Sequence, residues 1–175
     1  MLSVALCSRI TQLETKKLEH IDKRLTRIKE LTSLIQVEIS NTQLTDAGLI
    51  SLKGLANLQV LTLSGSKVTD DGLKELSELT NLRRLSISNT QMSDAGLINL
   101  KPNTNLTFLD LTNTKISGSD INFPEYYPNL LALQLGKTSL KDTGLINLRG
   151  LTKLKLMNLD QTKITDCDSP RLADS

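Results

Sequence analysis

Hydrophobic residues recur with a period of 24 residues from Leu34 to the end of the chain. Each period opens with a leucine, and an aliphatic residue or methionine follows three, five and ten residues later. The opening leucines are Leu34, Leu58, Leu82, Leu106, Leu130 and Leu154. A fixed period of this length indicates a solenoid, because one unit cannot bury its apolar face alone and must stack on the next.

Within one unit the pattern predicts a strand, a turn and a short helix. Leu61 and Leu63 alternate with less buried positions, which indicates a strand with one buried face. Leu73 and Leu76 then form the apolar stripe of a helix. Paired strands lie ~4.8 Å apart and packed helices ~8–10 Å apart, so the sheet side must be concave. The expected fold is α/β: a curved right-handed βα solenoid with a parallel concave sheet, short convex helices and an N-terminal capping helix.

Two polar positions also recur with the period. A threonine or serine in the turn is expected to satisfy backbone groups from unit to unit, at Thr42, Ser66, Thr90, Thr114, Thr138 and Thr162. An aspartate before each helix is expected to cap the free amides of that helix, at Asp46, Asp70, Asp94, Asp142 and Asp166.

The ends of the chain depart from the period. Leu18, Ile21, Leu25 and Ile28 mark one face of a helix, which we place from Thr11 to Glu30 as a cap on the first repeat. A coiled-coil or partner-binding helix is the alternative for this segment. We expect a helical cap over residues 1–30, a solenoid of about six units over 31–166 and a C-terminal tail over 167–175.

The unit that opens at Leu106 departs most from the others. Pro124 disfavours a regular helix there, and Phe123, Tyr126 and Tyr127 cluster around it. One interpretation is that these rings fill space left by a missing helical turn. The other is that they form a secondary contact site on the convex or lateral surface.

The unit resembles the leucine-rich repeat family, with the pattern L-x-x-L-x-x-L-x-L-x-x-T and threonine where many members carry asparagine. The segment Leu44–Leu49 resembles the T-D-x-G-L variant found in bacterial and plant repeat proteins, and is also similar to repeats in substrate-recognition subunits of ubiquitin ligases. The resemblance implies a binding surface, usually for protein.

The strand residues between the core positions are free to serve a ligand, because the core does not require their identity. Arg84 and Phe108 lie in adjacent units near the centre, with Asp110 beside Phe108, and arginine and aromatic residues dominate binding hot spots. The predicted concave contact set comprises Arg84, Phe108, Asp110, Val60, Thr62, Ser86, Gln134, Asn158 and Leu156. A solvated sheet surface, on which Phe108 only covers its neighbours, is the alternative.

The composition excludes several classes of function. The net charge is +2 with both signs interspersed, and only four aromatic residues are present, which argues against a nucleic-acid groove. No cysteine and histidine cluster has metal-ligand spacing, no phosphate loop appears, and the single histidine, His20, is expected at the surface. We expect no catalytic residues, no metal and no cofactor.

Other features bear on location and assembly. Residues 1–8 lack the regions of a signal peptide, and no stretch approaches the ~20 apolar residues of a membrane span. Cys7 and Cys167 lie at opposite ends of the solenoid, too far apart to pair, and no cysteine framework caps either end. These features favour a cytoplasmic protein, although export by another route stays open. The last predicted strand leaves a sheet edge open.

Three hypotheses follow for the function. The first is a non-enzymatic module that binds a protein ligand through the concave sheet. The second is the recognition domain of a larger effector, ubiquitin ligase or kinase whose other domains lie outside this chain. The third is a structural assembly unit that pairs through its open C-terminal edge. For the oligomeric state, we expect a monomer or a weak homo-oligomer through that edge.

Overall fold

A computed structural model of the chain describes the backbone of residues 12–16 and the backbone and side chains of residues 21–165. Within these ranges seven strands form one parallel sheet in chain order. Each strand pairs with the next so that residues 24 apart are partners, as Val60 is with Arg84. The strands are β1 (Gln12–Lys16), β2 (Gln36–Ser40), β3 (Val60–Thr62), β4 (Arg84–Ser86), β5 (Phe108–Asp110), β6 (Ala132–Gln134) and β7 (Leu156–Asn158).

Short helices lie on the side opposite the sheet and complete the α/β solenoid that the sequence predicts. The α-helices are α1 (Ile21–Leu25), α2 (Asp46–Leu49), α3 (Asp94–Ile98), α4 (Phe123–Tyr126) and α5 (Asp142–Leu145). Single 3₁₀ turns cover Ile28–Glu30, Ile50–Leu52, Gly72–Leu76 and Ile146–Leu148. Such brief helices do not form alone in water, so packing against neighbouring units holds them.

The core is a stack of aliphatic side chains that runs the length of the sheet. Val37, Leu61, Leu85 and Leu109 occupy equivalent positions on successive strands, and none has exposed surface. Because each layer contacts only its neighbours, the stability of the fold is close to a sum over units and the interfaces between them.

The predicted capping helix from Thr11 to Glu30 is wrong over residues 12–16. These residues form β1, which pairs with β2 as one more parallel strand, and Leu13 lies opposite Val37. Among the described residues of this segment the α-helix is α1, whose Ile21 and Leu25 are buried in the common core. This segment continues the repeat, because Leu13 and Leu25 stand 24 residues before Val37 and Leu49.

The recurring aspartates do not cap their own helices, which corrects the N-cap prediction. Asp46 is the first residue of α2, and its carboxylate points to the next unit. Its Oδ1 accepts a hydrogen bond from the Thr69 backbone N–H at 2.8 Å, and its Oδ2 accepts one from Thr69 Oγ1 at 2.7 Å. The same pair of bonds recurs from Asp22 to Thr45, Asp70 to Ser93, Asp94 to Ser117 and Asp142 to Thr165. We call this row the aspartate ladder.

The aspartate ladder explains Gly48, Gly72 and Gly96, each of which would bring a Cβ atom against the ladder aspartate of the preceding unit. A Cβ atom added at Gly72 would lie 2.3 Å from Asp46 Oδ1, and one at Gly96 would lie 2.5 Å from Asp70 Oδ1. The carboxylate of one unit thus occupies the space that a side chain in the next unit would need. The T-D-x-G-L signature is therefore a contact between neighbouring units and not a local helix signal.

The turn hydroxyls act within a unit and not between units, contrary to the prediction. Thr90 Oγ1 donates to the Ile87 carbonyl at 2.6 Å, and Thr138 Oγ1 donates to the Leu135 carbonyl at the same distance. Each bond spans three residues and closes the turn after the strand. At the equivalent position the buried Ser66 Oγ has no hydrogen-bond partner among the described residues.

Toward the last described strand the burial of core positions decreases. Met157 on β7 is 47% exposed, whereas its equivalents on β2 to β6 have no exposed surface, because no described unit packs on its outer side. The predictions for residues 1–8, His20, Asp166, Cys167 and the tail over 167–175 lie outside the described residues.

Candidate functional site

The open face of the sheet presents three columns of side chains, which we call the concave face. They run across β2 to β7 because partners in the sheet are 24 residues apart. The first column is Gln36, Val60, Arg84, Phe108, Ala132 and Leu156; the second is Glu38, Thr62, Ser86, Asp110, Gln134 and Asn158; the third is Ser40, Ser64, Ser88, Thr112, Gly136 and Asp160.

Arg84 and Phe108 form a contact near the centre of the first column. The Arg84 Cζ atom lies 4.1 Å from the centroid of the Phe108 ring, so the guanidinium rests over the ring face. The two residues are register partners on β4 and β5, and the sheet therefore fixes their separation. Arg84 is exposed and Phe108 is half-buried. The contact restricts the rotamers of Arg84 and holds a cation and an aromatic surface side by side on the concave face.

Asp110 lies two residues after Phe108, and its carboxylate is held by the protein. Oδ2 accepts a hydrogen bond from Ser86 Oγ at 2.8 Å, and Oδ1 accepts one from the Thr112 backbone N–H at 3.0 Å. These two bonds fix the direction of the carboxylate on the half-buried floor of the concave face. Asp110 thus presents a negative charge in a defined place.

Ser86 also belongs to a cluster of hydroxyls with Ser64 and Ser88, which we call the serine cluster. Ser64 Oγ lies 2.8 Å from Ser86 Oγ, and Ser88 Oγ donates to Ser64 Oγ at 3.0 Å. The small side chains make a low floor on which the backbone of a partner could come close. Only Ser86 was in the predicted contact set. The recurrence of serine in the neighbouring column is the sequence signal that would have added Ser64 and Ser88.

The other predicted residues lie on the same face but make fewer contacts. Val60 and Thr62 are half-buried on β3, and Gln134 is half-buried on β6. Asn158 Oδ1 accepts a hydrogen bond from the Asp160 backbone N–H at 2.8 Å. Leu156 is 65% exposed at the edge of the described sheet. The structure thus brings Arg84, Phe108, Ser86 and Asp110 together and leaves the remaining five around them.

Phe123 and Tyr127 are fully buried, so the predicted secondary contact site is wrong for them. Tyr127 takes the core position that Leu79 holds two units earlier, and its hydroxyl donates to the Leu97 carbonyl at 3.0 Å. Burial raises the pKa of the Tyr127 phenol well above its ordinary value. The rings fill core space, as the first interpretation of this unit states, but a helical turn is present: α4 forms at Phe123–Tyr126, and Pro124 lies in its first turn, where its missing N–H has no intrahelical partner.

Tyr126 is also inaccessible to a large partner. It is 8% exposed, and the Lys101 Nζ atom lies 4.2 Å from the centroid of its ring. The Tyr126 hydroxyl raises the pKa of Lys101 by accepting a hydrogen bond from it. Lys101 therefore lies over the exposed part of the Tyr126 ring.

Within the part of the chain that the structure describes, no three histidine, cysteine, aspartate or glutamate residues are grouped to hold a metal ion. In the same part, no helix is long and apolar enough to cross a membrane.

Two family models match the repeats of this chain. The model described as "Leucine Rich repeat" matches residues 54–77, and the model described as "Leucine Rich repeats (2 copies)" matches residues 80–125. No curated protein matches the sequence. These matches identify leucine-rich repeats between residues 54 and 125, and the described solenoid has the leucine-rich repeat fold.

Solved structures share this fold at low sequence identity. Internalin C2 from Listeria monocytogenes superposes with a TM-score of 0.63 and 21% identity over 98% of this chain and 81% of that chain. Internalin inlF from the same organism gives 0.54 and 21% over 93% of this chain and 58% of the other. The plant peptide hormone receptor RGFR1, solved in complex with RGF2, gives 0.58 and 20% over 89% of this chain and 23% of the receptor chain. At these identities the likeness concerns the fold.

Proposed function

We propose that the chain is a protein-binding module that holds a protein ligand on its concave face, with Arg84, Phe108 and Asp110 at the centre of the contact. The observation that carries the proposal is the Arg84 guanidinium stacked 4.1 Å over Phe108, beside a carboxylate fixed by two hydrogen bonds. Arginine and aromatic side chains near the centre of a patch are the residue types that dominate binding energy.

The size and rigidity of the face support the same proposal. Its three columns extend over six strands, and a specific interface needs about 800 Å² from each partner. The strands are locked by the inter-unit hydrogen bonds, so little order has to be gained when a ligand binds. The similar solved structures include a plant peptide hormone receptor in complex with RGF2, which supports a role in binding a protein ligand.

The test compares two triple variants with the wild type in affinity capture from lysate of the source cell. The site variant is Arg84→Glu/Phe108→Ala/Asp110→Ala. The matched control changes exposed residues away from the concave face, at Lys115→Glu/Ile50→Ala/Asp120→Ala. All three proteins are first shown to unfold at comparable temperatures.

A ligand on the concave face is retained by the wild type and by the control and is lost by the site variant. Truncation of a hot-spot residue weakens binding by about 2 kcal/mol or more, which is about thirtyfold in Kd. If the site variant retains the same proteins as the wild type, the concave face is not the binding surface and the proposal is rejected.

A further inference from the structure

Arg84 is the single basic residue in the three columns of the concave face, and it has no acidic partner in the described part of the chain. The ion pairs found there join Lys53 to Glu78 and Lys74 to Asp71, away from this face. The side chain is exposed, and its contact is with the uncharged ring of Phe108. The Arg84 guanidinium is thus a fixed positive charge whose counter-charge is not supplied by the described residues.

The stacking on Phe108 determines how this charge can be used. The Phe108 ring lies against the guanidinium, and the N–H groups of Arg84 have no hydrogen-bond partner among the described residues. Those donors match the two oxygens of a carboxylate, which can accept two parallel hydrogen bonds. The arrangement therefore favours an acidic group over a neutral acceptor.

The surroundings of Arg84 limit what else such a ligand can carry. Val60 and Phe108 flank it in the first column, so the positions on either side accept apolar groups. Asp110, Glu38 and Asp160 supply negative charge in the other columns. An acidic group is attracted at one place and repelled elsewhere on the same face, which disfavours a run of acidic residues.

We propose that the protein ligand inserts one aspartate or glutamate side chain against Arg84, with apolar residues next to it that pack on Phe108 and Val60. This inference rests on the proposed function and names the chemistry of the partner at that site. The occupant is an extended segment of another protein. Its recognition depends on a side-chain carboxylate and not on a free C-terminus.

The test uses a library of random peptides displayed as internal fusions, so that no peptide has a free C-terminal carboxylate. It is selected in parallel on the wild type, on Arg84→Glu and on the matched control Lys115→Glu, which makes the same kind of charge change outside the concave face. We expect the wild type and the control to enrich peptides with one acidic residue between apolar residues. We expect Arg84→Glu to enrich lysine or arginine at that place instead.

Binding measurements with a selected peptide then give the contribution of its carboxylate to the affinity. Replacing its acidic residue by the neutral amide should weaken binding to the wild type about thirtyfold or more, since truncating one partner of a buried charge pair has effects of this size. The same replacement should leave binding to Arg84→Glu unchanged or improved. Binding by the Phe108→Ala variant should also weaken, because the guanidinium loses its support.

The other outcomes separate this inference from the proposed function. Peptides without an acidic residue that still require Phe108 would overturn the inference and leave the concave-face function standing. If polyacidic peptides are enriched and their binding is weakened as much by Lys115→Glu as by Arg84→Glu, the attraction is unspecific and the inference is overturned as well. Failure to enrich any peptide, or enrichment that no concave-face residue affects, would count against both.

Discussion

The aspartate ladder predicts that two neighbouring aspartates have very different effects on stability. Asp70 accepts hydrogen bonds from the backbone N–H and the hydroxyl of Ser93 in the next unit. Asp71 is exposed and forms an ion pair with Lys74 three residues later. The pair Asp70→Ala and Asp71→Ala therefore compares the same residue change at adjacent positions, one inside the ladder and one outside it.

The expected loss of stability follows from the hydrogen bonds that Asp70→Ala removes. A hydrogen bond to a charged group contributes about 1.5–3 kcal/mol, but Asp70 is half-buried and water can replace part of the loss. We expect the free energy of unfolding to fall by about 2–3 kcal/mol in total. For a chain of this size that corresponds to a decrease in Tm of about 5–10 °C. Asp71→Ala should leave Tm unchanged within error, because an exposed ion pair of this kind contributes little.

The assay is urea unfolding monitored by circular dichroism. It is extended to a double-mutant cycle with Ser93→Ala. If the ladder bond is real, the effects of Asp70→Ala and Ser93→Ala overlap and the double variant is more stable than their sum predicts. Equal stability of the Asp70→Ala and Asp71→Ala variants would refute the reasoning. Strict additivity of Asp70→Ala with Ser93→Ala would show that the bond between the Ser93 hydroxyl and Asp70 does not contribute to stability.

Three further predictions concern other parts of the fold. Gly72→Ala should destabilise the protein, because its Cβ would lie 2.3 Å from Asp46 Oδ1, and in urea unfolding the double variant with Asp46→Ala should lose less stability than the sum of the two single variants. Lys137 has φ +59°, so Lys137→Asn should stabilise by about 0.5–1 kcal/mol, since asparagine tolerates this conformation better; Lys115→Asn, at a position without positive φ, should not. Burial raises the pKa of the Tyr127 phenol above its unfolded value near 10. The stability of the wild type should therefore fall more steeply above pH 10 than that of Tyr127→Phe, and equal slopes would show that the phenol is not the titrating group.

The repeat pattern predicts the architecture because each unit carries the same short spacing of core residues and the units repeat it along the chain. Each unit places core residues at the same spacing, so the positions of Leu61 and Leu85 determine both the strand and the register of the next strand. The same spacing predicts that Arg84 lies beside Phe108 on neighbouring strands. It failed at β1, where Leu13 is in register but the residues that follow also fit a helical period, and a single strand has too few positions to decide between the two.

Other properties depended on contacts that a linear pattern does not contain. The sequence contains the aspartates and glycines of T-D-x-G-L, but only the stacked units show that Asp46 bonds to Thr69 and lies against Gly72. The sequence does not distinguish the buried Tyr127 from an exposed tyrosine, because a tyrosine ring can pack in a core or lie at a surface. Periodicity determined which residues share a layer, since that follows from backbone spacing. The tertiary structure decided which side chains touch across layers, because those contacts depend on space left by residues more than 20 positions away.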